Sequence, residues 1–337
     1  MKTDAKSNFG PLSRAFTELP LAALVAMLCL MPITGSAQIL VANQGNSTIG
    51  KYDATTGAPI NSSFISSGLS FPTGIALSGD KLYVANYGNN TIGLYNAATG
   101  ETINSRFISS GLHNPADIAL SGGKLFVSNG NNKVGVYDAA TGATIDSFFI
   151  SSASGNIGIG GIALFGGNLF VVNGSHTIGK YNATTGAPIN RRFISSGLNF
   201  PADIALSGGK LFVTNFFGDT NGDTVGKYDA TTGATIDSSF ISLPQFSELN
   251  GIAVSGENLF VGSLGLSDFP VNTVGLYNAT TGATINGRFI SGLNVPEGIV
   301  VMSPSSVPDA SPPLTLLLLG IGATFGFNLL KHRRFEA

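Results

Sequence analysis

The same tyrosine-centred segment is written six times in this chain. Tyr52, Tyr95, Tyr137, Tyr181, Tyr228 and Tyr277 each stand in a stretch of the form TIGxYDATTG or a close variant, spaced 43, 42, 44, 47 and 49 residues apart. A period of that length, holding four short strands, is the mark of radial blades. Within one period, residues 74–79, 81–86, 91–96 and 102–109 each read as a short strand. The joints Gly79-Asp80, Asn89-Asn90 and Thr99-Gly100 supply residues that tolerate positive φ in tight hairpins. Six units predict an all-β chain, a six-bladed β-propeller over residues 38–302.

The two ends of the array predict closure of the ring. Residues 39–43 match the second strand of the later units, so the first unit lacks its innermost strand. Residues 298–301 match residues 74–77 and 203–206, the innermost strands of two other units, and no second strand follows them. One blade is therefore expected to be shared, with its innermost strand supplied from the C-terminal end, which removes the open sheet edge between first and last units.

Composition fits this architecture and narrows the partners. The chain is 11% charged and 43% hydrophobic and carries 45 glycines, as many short strands joined by tight turns require. Residues 38–302 hold 11 Lys and Arg against 15 Asp and Glu, so the folded part lacks the basic stripe that nucleic-acid binding needs. Phe64, Phe107, Phe149, Phe193, Phe240 and Phe289 recur at one place in the last strand of each unit. They read as packing residues between blades, not as a stacking platform for bases or sugars.

Both termini lie outside the propeller. Residues 1–37 carry Lys2, Lys6 and Arg14, an apolar run over 21–31, and small residues before Ala37, which predicts a signal peptide cleaved between Ala37 and Gln38. The apolar run of 11 residues is short of the ~20 needed to span a bilayer. The lone cysteine, Cys29, falls inside it and is preceded by Leu28, so lipidation is not expected and the mature chain is cysteine-free. At the other end, a linker over 303–313 contains Val307, Pro308 and Asp309. An apolar segment over 314–330 and the basic cluster Lys331, His332, Arg333 and Arg334 follow, within a tail of residues 314–337. This order resembles the PEP-CTERM type of sorting tail in a Val-Pro-Asp variant. The resemblance implies recognition by an exosortase-type membrane protease, transient residence in the inner membrane, and release to the cell surface or extracellular matrix. The 17 residues of the segment span ~25 Å as a helix, close to a bilayer core, with the cationic end on the cytoplasmic side. A permanent tail anchor is the alternative.

The strand grammar of residues 82–92 and its copies, such as 125–134, resembles NHL and YVTN-type propeller repeats. That group includes carbohydrate and protein binders, scaffolds, and some lyases and hydrolases, so the resemblance does not fix an activity. Chemistry is sought at the mouth of the axial channel, where the loops entering the innermost strands and leaving the second strands share a face. The leaving positions hold Asn43, Asn86, Asn129, Asn173, Asn215 and Ser263. As blade grammar each asparagine caps a turn; as a site they form a polar ring. Asp117, Asp203 and Glu297 break the repeat at the entering positions. With Asn86, Asn129 and Asn215 they make an oxygen set suited to Ca²⁺. His113 and His176 are the only histidines of the propeller and stand apart, which argues against a zinc site or a Ser-His-Asp relay. Residues 219–223 alternate oxygen-bearing side chains but lack the turn glycine and closing acid of a calcium loop, and read as a solvated hairpin tip. The expected function is an exported, non-catalytic binding or structural module for a surface polysaccharide or protein. The alternative is a metal-dependent envelope hydrolase or lyase of lactonase type.

Overall fold

The computed structural model describes residues 36–151, 160–173, 176–215, 222–243, 247–264 and 272–303. They form six antiparallel sheets of four strands, each ordered from the propeller axis outward. Blade 1 is built from Pro296–Met302 innermost, then Gln38–Asn43, Thr48–Asp53 and Pro59–Ile65. Blades 2 and 3 begin with Pro72–Ser78 and Pro115–Ser121, blade 4 with Ile162–Phe165, and blades 5 and 6 with Pro201–Ser207 and Leu249–Ser255. Adjacent innermost strands touch around a complete ring. Among the described residues the only helix is a single 3₁₀ turn, Gln44–Asn46, and no helix is long and apolar enough to cross a membrane.

The shared blade closes as the sequence predicts. Gln38 pairs with Met302, Leu40 with Val300 and Asn43 with Pro296. The junction is then sealed by Asn294 N–H to Asn43 Oδ1 at 3.2 Å, a contact across 251 positions of sequence, and by Gln44 N–H to Val295 O at 2.9 Å. Gln38 is the first residue of its strand, and Ala37 already accepts the Ala54 N–H at 2.9 Å. Residues 1–35 of the predicted signal peptide and the sorting-tail residues, including Val307, Pro308, Asp309, Arg333 and Arg334, lie outside the described residues.

Each element of the repeated segment has a steric or hydrogen-bonding cause. The tyrosine ring folds back over the glycine two positions before it on the same face of the strand. A Cβ at Gly93 would lie 2.6 Å from the Tyr95 ring, so only glycine leaves room. The buried hydroxyl then reaches the connection from the preceding blade: Tyr95 donates to Gly68 O and Tyr137 to Gly111 O, both at 2.8 Å. The next residue, Asp or Asn, turns the chain. Asp53 Oδ1 accepts the N–H groups of Thr55 at 2.9 Å and Thr56 at 2.8 Å, an Asx turn that Asn96, Asp138, Asn182, Asp229 and Asn278 repeat. The closing glycine takes φ of 78° at Gly100, where a side chain would also meet the Phe64 carbonyl of the preceding blade at 2.5 Å.

The core is six layers, one between each pair of neighbouring blades. One layer joins Tyr83, Ile92 and Ile108 of blade 2 to Ile118, Leu125 and Tyr137 of blade 3, with Phe107 packed against it. The recurrent phenylalanines thus stand in the inter-blade layers, as expected. Five of the six rings also pack on an aromatic of their own blade's second strand, for example Phe107 on Tyr83 at 5.8 Å and Phe149 on Phe126 at 5.7 Å, whereas Phe64, whose blade has no aromatic there, lies under the Lys51 ammonium at 4.3 Å. Burying each large apolar side chain contributes about 1.5–3 kcal/mol, so the layers, not the thin individual sheets, hold the ring together.

Candidate functional site

The six loops that enter the innermost strands converge on the axis and enclose a cavity of about 210 Å³. Two consecutive residues from each of the six loops line it, among them Thr73-Gly74, Ala116-Asp117, Ala202-Asp203 and Glu297-Gly298, together with Gln44 and Tyr87, the residues just after the second strands of blades 1 and 2. Asp117, Asp203 and Glu297 are therefore brought to one site, from blades 3, 5 and 1.

The two aspartates are bound into the ring in the same way. Asp117 Oδ1 accepts the Ile118 N–H and Oδ2 the Ile162 N–H of blade 4, both at 2.8 Å. Asp203 Oδ1 accepts from Ile204 at 2.8 Å and Oδ2 from Ile252 of blade 6 at 3.0 Å. Hydroxyls complete each latch. Ser128 Oγ accepts the Asp117 N–H at 3.0 Å and donates to Gly160 O at 2.9 Å, and Thr214 does the same between Asp203 and Asn250. The glycines of the alternate blades follow from this arrangement. A Cβ at Gly74 would lie 2.6 Å from Asp117 Oδ1, and one at Gly161 would collide with Asp203 Oδ1. Glu297 is held differently, by a single bond from Asn250 Nδ2 to its Oε1 at 3.0 Å.

Gathering three carboxyls inside protein raises their proton affinity. Burial lifts Glu297 to about 8, and the neighbouring charge of Asp203 adds to the effect. Burial also moves Asp203 up to about 6 despite its two N–H bonds. Asp117 is raised well above the ordinary carboxylate range by burial and then by Asp203. At neutral pH the cavity therefore holds fewer than three negative charges.

Of the two readings of the asparagines, the capping of a loop within the blade holds, and a polar ring around the carboxyls does not form. Asn86, Asn129 and Asn215 are buried and turn away from the cavity, each accepting a backbone N–H from the loop that precedes its own blade's innermost strand. The donors are Ser70, His113 and Asn199, at 3.0, 3.0 and 3.1 Å. A strand-end amide can satisfy a loop N–H of its own blade at no cost in reach, and that local bond wins over the axis. The calcium ligand set drawn from the sequence is thus split. The aspartate oxygens are engaged by N–H groups and the amides stand elsewhere. Among the described residues no three His, Cys, Asp or Glu side chains are grouped to hold a metal ion. Asp223, at the end of the 219–223 segment, is buried and accepts the Glu248 N–H at 2.9 Å, so it is not part of a solvated tip.

Sequence reasoning missed the rim of the mouth. The residue before five of the six innermost strands takes a left-handed backbone: Phe71, Asn114, Phe200, Glu248 and Val295 have φ between 44° and 54°. The recurrent residue-proline step at 71–72, 114–115, 200–201 and 295–296 is the signal that could have marked them. Phe71 and Phe200 are half exposed there, Tyr87 is partly exposed beside Phe71, and His176 stacks on Phe200 at 4.2 Å.

A protein of the nidogen/laminin complex superimposes with a TM-score of 0.64 at 15% identity, covering 79% of this chain and 98% of the other. The computationally designed Ika8 protein gives 0.43 at 15% identity over 76% and 73%, and the Kuenenia stuttgartiensis hydrazine synthase 0.49 at 18% over 62% and 63%. At such identities only the nidogen/laminin match speaks, and it speaks to the propeller fold alone. No curated protein sequence matches the chain. The family profile described as outer membrane protein assembly factor BamB matches residues 45–285. The chain belongs to that family, the one described by outer membrane protein assembly factor BamB.

Proposed function

We propose that the chain is an exported binding or structural module of the cell surface or extracellular matrix, without catalytic activity, whose ligand site is the axial mouth. The observation that carries this reading is the use of the aspartates. Both oxygens of Asp117 and Asp203 hold backbone N–H groups of their own and the next blade, so these carboxyls serve the ring instead of standing free for a reaction. Membership of a family named for an outer-membrane assembly factor supports an envelope address. The likeness of the strands to NHL and YVTN repeats supports recognition of a surface polysaccharide or protein. The Val307-Pro308-Asp309 motif, the apolar segment over 314–330 and the cluster ending in Arg333 and Arg334 support sorting by an exosortase-type protease after cleavage of a signal peptide between Ala37 and Gln38.

A second reading, an envelope hydrolase or lyase, draws on Glu297. Its carboxyl is pushed up to about 8 beside Asp203, a setting in which a carboxylic acid can donate a proton at neutral pH. Mass spectrometry of the protein recovered outside the inner membrane, with a metal assay on the same sample, separates the readings. The binding module should end near residue 309 and carry no stoichiometric metal. Replacing Pro308 and Asp309 with Ala should leave the chain in the membrane fraction. An intact segment 314–330 on the surface-exposed protein would overturn the sorting tail, and a stoichiometric metal lost in an Asp203→Asn variant would favour the enzyme.

A further inference from the structure

The rim of the mouth carries two aromatic side chains that folding leaves half exposed. Phe71 and Phe200 hold equivalent positions in blades 2 and 5, with φ of 48° and 44°. A left-handed backbone is unfavourable for a bulky residue. Each side chain is nevertheless 52% and 53% exposed, so burial does not compensate for the strain. Blade 3 shows what stability alone would select, because Asn114 adopts φ of 46° at the same place and asparagine tolerates that region. Tyr87 extends the aromatic surface: its N–H donates to Phe71 O at 3.2 Å, and its side chain lines the cavity. Blades 2 and 5 are three steps apart in a ring of six, so the two aromatic patches face each other across the axis. Between them, the charged side chains lining the cavity are Asp117, Asp203 and Glu297, and no described lining residue is Lys or Arg.

We propose that the axial mouth is a docking surface for a partner protein that inserts a loop bearing a lysine or arginine. The basic side chain enters the cavity toward the carboxyls, and the flanks of the loop pack on Phe71, Tyr87 and Phe200. Charge complementarity selects this occupant: a cation gains from the carboxyls below and from aromatic faces at the rim, whereas an acidic loop is repelled. Size agrees, since about 210 Å³ admits a side chain but not a helix of ~10 Å diameter. Exposed aromatics around a pocket are also the usual anchors of protein interfaces. Because Glu297 holds its proton at neutral pH, an entering cation should expel it, and binding should strengthen as pH rises. This inference rests on the propeller being a binding module and is indifferent to how the tail is processed.

The test pans the full-length chain, held in detergent micelles, against a phage-displayed library of random peptides, with dextran as a separate polysaccharide probe. Selected peptides should share a lysine or arginine beside apolar residues. The best of them should bind roughly tenfold or more weakly to Glu297→Gln and to the double variant Phe71→Asn, Phe200→Asn, and should bind more tightly at about pH 8 than at about pH 5. The double variant should melt no lower than the wild type, since asparagine relieves the strained backbone. Peptides without a basic residue, binding indifferent to both variants, or dextran held at the mouth in place of peptides would overturn the proposal. So would a double variant that melts several degrees lower, because the rings would then belong to the core. Loss of the sorting claim with this binding intact would leave the inference standing.

Discussion

Replacing Glu297 by glutamine should make the propeller more stable at alkaline pH and leave it unchanged in acid. Glutamine keeps an oxygen for Asn250 Nδ2, which now bonds Glu297 Oε1 at 3.0 Å, and removes only the charge. The native carboxyl has its proton affinity raised from 4.5 to about 8, chiefly by burial and then by Asp203. A group raised in this way contributes its full stability below the unfolded value and surrenders it as pH climbs through the folded one. The loss therefore falls between about pH 4.5 and pH 8. At 1.36 kcal/mol per pH unit the whole shift is worth about 5 kcal/mol. The mouth is open to water, so about 1–3 kcal/mol is the expected size, or about 3–8 °C in Tm for a domain of this length. Thermal melts of both proteins across that pH range, read as the difference at each pH, make the test. A difference that stays flat with pH, or one that is largest in acid, would refute the assignment of a buried, proton-retaining Glu297.

Three further outcomes follow from the fold and the site. Deleting residues 297–302 leaves the Gln38–Asn43 strand without its inner partner and should abolish cooperative melting, as followed by circular dichroism and calorimetry. Gly93→Ala places a Cβ 2.6 Å from the Tyr95 ring and should cost about 2–4 kcal/mol in denaturant unfolding, whereas Gly79→Ala, with open space around it, should cost no more than about 1 kcal/mol for its positive φ. Adding a chelator should leave the Tm of the wild type unchanged, because the Asp117 and Asp203 oxygens are already held by N–H groups. A fall of several degrees that Asp203→Asn abolishes would place a cation at the axis.

The ring was legible in the sequence because its grammar is local. Tyr95 needs Gly93, Asn96 caps its own turn, and the repeat prints these pairs within a few positions of each other. The shared blade was legible for the same reason, since residues 298–301 carry a strand pattern with no successor. Asp117 and Asp203 announced themselves by breaking the repeat, but their role did not. Their partners, Ile162 and Ile252, lie 45 and 49 positions away, one blade further on, where a single sequence gives no register. The asparagines left two readings open because a strand-end amide can face either the axis or its own loop. Asn86 meets Ser70 only once the 16-residue hairpin between them is folded. Phe71 and Phe200 were overlooked because nothing in a phenylalanine hints at a positive φ.

Closing the ring with its last segment also decides where a pull on the chain is felt. The strand Pro296–Met302 is hydrogen-bonded on one side only, to Gln38–Asn43, and Gln38 stands opposite Met302 at the edge where both ends leave the propeller. A load applied at Met302 along the axis of this strand, against a body held on the ring, pulls in shear. It must slide the strand against its partner, so the ladder bonds resist together instead of peeling one by one. Ile299 anchors the strand in the layer between blades 1 and 6 and adds friction to that slide. The seam that makes the ring is therefore also its mechanical joint, stiff to a tug along the strand.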